Sequence, residues 1–383
     1  MKKTGKYFLF IFIFLNILIL FAEKYWIYKA ISTTYLKGHT SSYINDFVYF
    51  PSKIIDKGKH QEWLISKNYN KITLPEFIKS INKELETTAF LIIMNDSVVY
   101  EEYFHGYSKD SASNSFSVAK SWISTLVGIA VKDGQIQSLN QSISDFLPEY
   151  SAEKERRITI KNLLTMSSGF NWNESYYNPF GKTAEAYYGT KLNRLVMGLK
   201  SVEPPGKVFK YHSCNTQLLS FIVERAVGKS INEYASEKLW IPMGAKQPGL
   251  WSTDNKGGNE KAFCCINSNA RDFARLAKLY MNYGNWNGQK ILDSNYVVQA
   301  TSPADLLKTD GKKNINYGYH FWISNHKDLK IYYMRGLWGQ YVICIPEKKM
   351  IIVRLGRKQG RLLKSGHYED FHQFIEAAIE MYE

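Results

Sequence analysis

A polar pair at the head of a long apolar run constrains this chain more than any other feature. Ser117-Val118-Ala119-Lys120 leads directly into the apolar residues 123–131. If that run is a helix, Ser117 lies in its first turn and Lys120 one turn on, on the same face. The spacing sets an amine beside a hydroxyl, and the helix N-terminus adds partial positive charge there. A serine hydroxyl becomes a useful nucleophile only when a group removes its proton. A desolvated lysine, or a tyrosinate held by that lysine, does so. Ser-x-x-Lys recurs at Ser80, Ser151 and Ser324, so the spacing alone is weak. An ordinary capping serine beside a solvated lysine has the same pattern. Only the copy at Ser117 opens a strongly apolar helix.

Two later segments add to it. Tyr211-His212-Ser213 follows the turn signal Pro204-Pro205-Gly206-Lys207 and precedes an apolar helical pattern over 218–226. Met334-Arg335-Gly336-Leu337-Trp338-Gly339-Gln340 precedes a strand-like run over 341–345. In this order the three segments resemble the penicillin-recognising serine hydrolases: class C β-lactamases, DD-peptidases and their esterase and amidase relatives. Residues 158–169, Asn269-Ala270-Arg271-Asp272-Phe273-Ala274-Arg275 and Tyr317-Gly318-Tyr319-His320-Phe321-Trp322 look like that family too. The resemblance runs from about Leu74 to the C-terminus. It implies an α/β (α+β) fold of the β-lactamase/transpeptidase type, with an antiparallel sheet flanked by helices and an inserted all-helical lobe. The active site would lie in the cleft between the lobes.

The departures from the family pattern narrow the substrate. Ser213 stands where β-lactamases carry the Asn of Tyr-x-Asn, and Met334-Arg335-Gly336 stands where they carry Lys-Thr-Gly. That lysine helps bind the substrate carboxylate in the family, so β-lactams and D-Ala-D-Ala peptides are disfavoured. In its departures the chain is similar to the esterase and 6-aminohexanoate-dimer hydrolase branch, where the triad is Ser, Lys and Tyr. The resemblance then implies that Tyr211, its pKa lowered by Lys120, takes the Ser117 proton. Ser117 attacks an ester or amide carbonyl, and backbone N–H groups of Ser117 and Leu337 hold the oxyanion. Ser213 would bond Lys120 or substrate. Tyr176, Tyr177, Arg335 and Gly336 are candidate substrate contacts, although alternation along a strand turns Arg335 and its neighbours to opposite faces. His212 would face away from the cleft. Neither a metal nor an organic cofactor is called for. The rival readings are a β-lactamase or DD-carboxypeptidase and, from another class, a catalytically silent protein that binds cell-wall peptide.

The N-terminus bears on location. Lys2, Lys3 and Lys6 precede an apolar run over 7–22, interrupted only by Asn16. Leu20 and Ala22 make a poor signal-peptidase site, and no cysteine follows for lipidation. Tyr25, Trp26 and Tyr28 suit a membrane interface, with Lys24 and Lys29 able to snorkel. The expectation is an uncleaved signal-anchor over 1–29. It would be attached to the cytoplasmic membrane with the catalytic domain outside the cytoplasm, periplasmic or extracellular. Residues 30–72 show no clear period and read as a loosely packed tether. The hydrolase domain then spans 73–383, with its helical lobe at about 117–261.

Composition adds exclusions. The net charge of +14 is spread along the chain without a dense basic block, which fits a solvated surface and no nucleic-acid partner. Cys214, Cys264, Cys265 and Cys344 have no metal or Cys-x-x-Cys spacing. Buried thiols are the simpler reading, although an oxidising compartment would allow one disulfide. No His-Glu-x-x-His or Gly-x-Ser-x-Gly motif occurs. A helix is expected from Pro75-Glu76 to about Glu86, and a hairpin around Asn95-Asp96. Strands are expected at 330–334, 341–345 and 350–355, and an amphipathic helix at 368–382.

Overall fold

The computed structural model describes residues 2–176 and 178–382, with backbone alone for residues 2–5. Helix α1 (Lys2–Phe21) is followed, after a bend of 120°, by α2 (Trp26–Thr33). Among the described residues no single helix is long and apolar enough to cross a membrane, and the bent pair passes that test only jointly. Strands β1 (Ser52–Ile55) and β2 (Leu64–Ile65) come next, then α3 (Glu76–Glu84), which starts after Pro75. The hairpin β3 (Thr87–Met94) and β4 (Ser97–Tyr103) turns at Asn95 and Asp96, both at positive φ (48° and 61°), as a tight turn between twisted strands requires.

Strand β5 (Ser113–Asn114) then leads through a 3₁₀ turn, Phe116–Val118, into α4 (Ala119–Lys132). A helical stretch follows: α5 (Ile160–Leu164), α6 (Lys182–Tyr188), α7 (Leu192–Met197), α8 (Ser213–Val227) and α9 (Ile231–Ala235). Next come β6 (Gly249–Ser252), β7 (Ile266–Ser268), α10 (Ala270–Met281), the small hairpin β8 (Asn285–Trp286) and β9 (Gln289–Lys290), and α11 (Ser294–Ala300). The chain closes with β10 (Trp322–His326), β11 (Leu329–Gly336), β12 (Gln340–Ile345), β13 (Met350–Gly356) and α12 (Glu369–Tyr382).

Strands from both ends of the chain form one sheet in the order β10-β11-β12-β13-β3-β4-β2, antiparallel except for the β2–β4 pair. Alternation sorts its side chains into two cores. Leu91, Ile93, Val342, Cys344 and Val353 face the cluster shared with α4, α8 and α10, whereas Phe90, Ile92, Tyr341, Ile343 and Ile352 face α3 and α12. A second sheet, β1-β6-β7-β5, delivers the chain to Ser117.

Two expectations are corrected here. Residues 30–72 are not a loose tether. Ile44, Asp46, Phe50, Ile55 and Trp63 are buried, β1 pairs with β6, and the Asn114 amide donates to the Ile44 carbonyl at 3.0 Å. The segment showed no period because it is built of strands of two to four residues and loops, too short to alternate visibly. The cysteines are not all free thiols either. Cys264 and Cys265 are bonded to each other, while Cys214 and Cys344 are free and buried.

Candidate active site

Ser117 sits in the 3₁₀ turn just ahead of α4. The residue before it, Phe116, has a φ of +43°, a conformation that costs about 1–3 kcal/mol in a non-glycine residue. The Asn114 side chain holds that turn by accepting the Phe116 amide at 2.9 Å. Strand β11 makes room for it. A Cβ on Gly336 would lie 2.2 Å from the Ser115 carbonyl oxygen, so only glycine lets the nucleophile turn press against the strand. Gly336 is therefore a packing residue buried under Ser115, not a lining residue of the pocket around Ser117.

Lys120 follows on α4 and is fully buried. Its Nζ lies 3.0 Å from Ser117 Oγ, donates to the Phe263 carbonyl at 2.7 Å, and sits 5.1 Å from the centroid of the Tyr211 ring. Burial lowers the ammonium to about 8, against the opposing pull of the Glu174 carboxylate. Tyr211, two residues before α8, is within hydrogen-bonding reach of Ser117 and stacks on Trp322 at 5.7 Å. Its phenol is pushed up by burial, which outweighs the Ser117 hydrogen bond and the Arg335 charge that pull it down. The directions differ from the expectation of a Tyr211 acidified by Lys120: burial lowers the lysine ammonium and raises the tyrosine phenol.

Glu174, a residue that sequence reasoning missed, binds the site together. Its Oε2 accepts from the Ser213 amide at 2.8 Å and from Trp172 Nε1 at 2.7 Å, and its Oε1 accepts from Ser213 Oγ at 2.7 Å. Ser213 is the first residue of α8, so this carboxylate caps the helix that begins two residues after Tyr211. The Ser213 hydroxyl donates its hydrogen bond to Glu174, and Ser213 also lines the pocket at Ser117. No spacing rule points to Glu174. The only signal is its place two residues before Tyr176, a candidate substrate contact.

The pocket at Ser117 is narrow, about 80 Å³, and is lined by Ser41, Ser42, Tyr176, Tyr187, Tyr188 and Leu337 among others. Leu337 shares the pocket with Ser117, as an oxyanion partner must. The turn that carries Leu337 is held by buried Arg354, which donates to the carbonyls of Trp338 (2.8 Å) and Gly339 (3.0 Å). Tyr176 lines the pocket with an exposed ring and a phenol turned to Glu174, where desolvation pushes its pKa up. Tyr177 lies outside the described residues. Arg335 is not among the lining residues. Its guanidinium stacks 3.4 Å above Trp322 and donates to the Gly366 carbonyl at 2.9 Å, from where its charge still reaches Tyr211. His212 is buried away from the pocket, and burial lowers its pKa.

This order of elements matches the family described as "Beta-lactamase" over residues 75–370. The chain belongs to the β-lactamase family. It is 25% identical over 293 residues to the 6-aminohexanoate-dimer hydrolase of Paenarthrobacter ureafaciens, covering 71% of this chain and 73% of that one. A solved structure described as a putative 6-aminohexanoate-dimer hydrolase from Bacillus anthracis superposes with a TM-score of 0.74 at 22% identity, over 88% of this chain and 90% of that one. A family VIII carboxylesterase superposes with a TM-score of 0.64 at 16% identity, over 84% and 99%. The relatives are hydrolases, and the resemblance read from the motifs holds for fold and family. Met334, which the motif resemblance sets in the place of the family's usual lysine, is fully buried in the core.

Proposed function

We propose that this chain is an exported, membrane-attached serine hydrolase that cleaves slender esters or amides through an acyl-enzyme on Ser117. The observation that carries the reading is the buried Lys120 amine, lowered to about 8 and 3.0 Å from Ser117 Oγ. In its neutral form Lys120 spends one N–H on the Phe263 carbonyl and turns its lone pair to the Ser117 hydroxyl. Lys120 takes the proton as Oγ attacks the carbonyl carbon. The oxyanion is held by the N–H groups of Ser117 and Leu337. Tyr211, still a phenol, donates to the departing oxygen or nitrogen and is re-protonated from Lys120. Water then enters, loses its proton to the same pair, and releases the acid.

The narrow cavity favours a slim acyl group, since sites for drug-sized ligands run to about 300–1,000 Å³. Neither the core position of Met334 nor the Ser213–Glu174 bond leaves a β-lactam its usual partners. A silent binding protein would have no need to bury an amine against a serine. The lysine-flanked apolar α1 supports attachment to the cytoplasmic membrane with the domain outside. A fluorophosphonate probe tests the assignment: the wild type should be labelled and Ser117→Ala should not. Equal labelling of both proteins refutes it.

A further inference from the structure

The segment that walls the active site is the same one that carries the apolar N-terminus. Ser41 and Ser42 line the pocket, and Trp338 Nε1 donates to the Ser42 carbonyl at 2.7 Å. Thr34 Oγ1 bonds the hydroxyl of Tyr188, a pocket residue on α6, at 2.9 Å. Lys24 pairs with Glu185 on α6, and Glu23 pairs with Arg194 on α7 at 2.7 Å. The end of α1 is therefore tied to the helix that forms one wall of the site.

Helix α2 has two apolar faces. Trp26, Ala30 and Thr33 are buried on the domain, while Tyr25, Tyr28 and Ile31 recur every third residue on the exposed side. Tyr35 and the 76% exposed Leu36 extend that stripe. Exposed apolar side chains surround α1 from Tyr7 to Phe21. The one polar residue in that run, Asn16, has its amide oxygen bonded by the Tyr28 hydroxyl at 2.6 Å, so α1 and α2 are joined at the bend. The 120° bend turns α2 back beside the end of α1, while Trp26, Ala30 and Thr33 pack α2 on the domain. A helix packed on the domain by one face, with Tyr25, Tyr28 and Ile31 outward and the exposed Lys37 at its end, has the make-up of one that rests in the headgroup layer of an anionic bilayer.

We infer that the exposed stripe of α2 and residues 35–36 seats on the anionic bilayer surface. It holds the mouth of the pocket at headgroup level, so that the substrate is a lipid-tethered ester or amide. This rests on the hydrolase reading above. The cavity takes only a short acyl group, so the short end of the substrate reaches Ser117 while the lipid chain stays in the membrane. The reaction transfers that acyl group to Ser117 Oγ, breaks the carbonyl bond to the lipid-borne oxygen or nitrogen, which leaves with a proton, and then hydrolyses the acyl-enzyme with water.

The full chain is reconstituted into phosphatidylglycerol vesicles and given two substrates: an acetylated diacylglycerol within the vesicles and 4-nitrophenyl acetate in solution. Acetate release by the triple variant Tyr25→Ser/Ile31→Ser/Leu36→Ser should fall about tenfold on the vesicle-borne ester and stay unchanged on the soluble one. Equal rates for variant and wild type on the vesicle-borne ester overturn the inference. Hydrolysis of neither ester by the wild type refutes the hydrolase reading instead. A second measurement does not depend on turnover. A solvatochromic probe on Ile31→Cys should shift to the blue when vesicles are added, and water-like emission on vesicles overturns the seated surface whatever the catalysis.

Discussion

Glu174→Gln separates the two things that Glu174 does. The glutamine amide is isosteric with the carboxylate and can keep all three contacts. Its oxygen can take the Oε2 position, accepting from Trp172 Nε1 and the Ser213 amide, and its nitrogen can donate to Ser213 Oγ. Each bond then changes from charge-assisted to neutral, and each change costs about 0.5–1 kcal/mol, so the variant should be about 1.5–3 kcal/mol less stable than the wild type. The charge acts separately on Lys120. Glu174 favours the ammonium form, so removing it lowers the Lys120 pKa below about 8. Catalysis needs the neutral amine, and kcat/KM in the free enzyme rises with pH until Lys120 has lost its proton. The acid limb of the pH profile should therefore move down by about one unit, equivalent to 1.36 kcal/mol. The assay is kcat/KM for 4-nitrophenyl acetate from pH 5.5 to 9.5, beside a urea titration. An acid limb that stays in place, or moves up, refutes the electrostatic link even if the stability loss is found. Glu174→Ala strands three donors and should cost more than the glutamine does.

Three further outcomes follow from the geometry. Ser117→Ala, Lys120→Ala and the double variant should all lose about the same large factor in kcat, roughly 10³ or more, because the pair acts as one unit; additive losses measured by steady-state kinetics would contradict this. Gly336→Ala brings a Cβ to 2.2 Å from the Ser115 carbonyl oxygen. It should push the nucleophile turn off β11 and abolish fluorophosphonate labelling in a protein whose circular dichroism still shows a fold, whereas wild-type labelling would show that the turn does not need the glycine. Asp46 is pushed up to about 6 by burial, above its ordinary 3.8, although Tyr187 donates to it at 2.8 Å. Its ionised form is therefore penalised in the fold. The penalty is absent below about pH 4, grows through pH 6 and reaches about 3 kcal/mol above that. Asp46→Asn should gain stability over the wild type at pH 7 and lose that advantage at pH 4, as read from urea midpoints; an advantage that grew as the pH fell would refute the sign.

What the sequence revealed depended on how local each signal was. The β3–β4 hairpin carries Asn95-Asp96 between alternating strands, and α12 carries a clear apolar stripe, so both could be read from neighbouring residues. The strands β1, β2, β6 and β7 run for only two to four residues each and take their partners from far along the chain, which leaves no period to detect. That Ser117 and Lys120 lie side by side could be read from their spacing across the 3₁₀ turn and the start of α4, and an ordered set of motifs pointed to Tyr211. Glu174 was not, because a loop carboxylate becomes a helix cap only when α8 arrives beside it. The directions in which Lys120 and Tyr211 shift were hidden for a related reason. Charge proximity can be guessed from motifs, but the desolvation that lowers one group and raises the other depends on the packed surroundings.

The buried Met334 turns the question of β-lactam recognition into one about folding. Restoring the family's usual lysine there by Met334→Lys gives back the missing residue type, and a purely sequence-based view expects β-lactam turnover to return with it. The structure argues the opposite. Met334 is fully buried in a core that includes Phe116, Val118 and Ala119, the packing directly beneath the nucleophile turn. An ammonium buried unpaired in such an apolar cluster costs several kcal/mol, partly relieved when the lysine loses its proton. Met334→Lys should therefore unfold at lower urea, most of all below neutral pH where the lysine must be charged. It should hydrolyse soluble esters more slowly as the turn is disturbed, and should show no gain on nitrocefin. A folded variant that hydrolyses nitrocefin faster than 4-nitrophenyl acetate would mean that the side chain at 334 reaches the cleft after all, and that a single substitution separates this enzyme from its β-lactam-cleaving relatives.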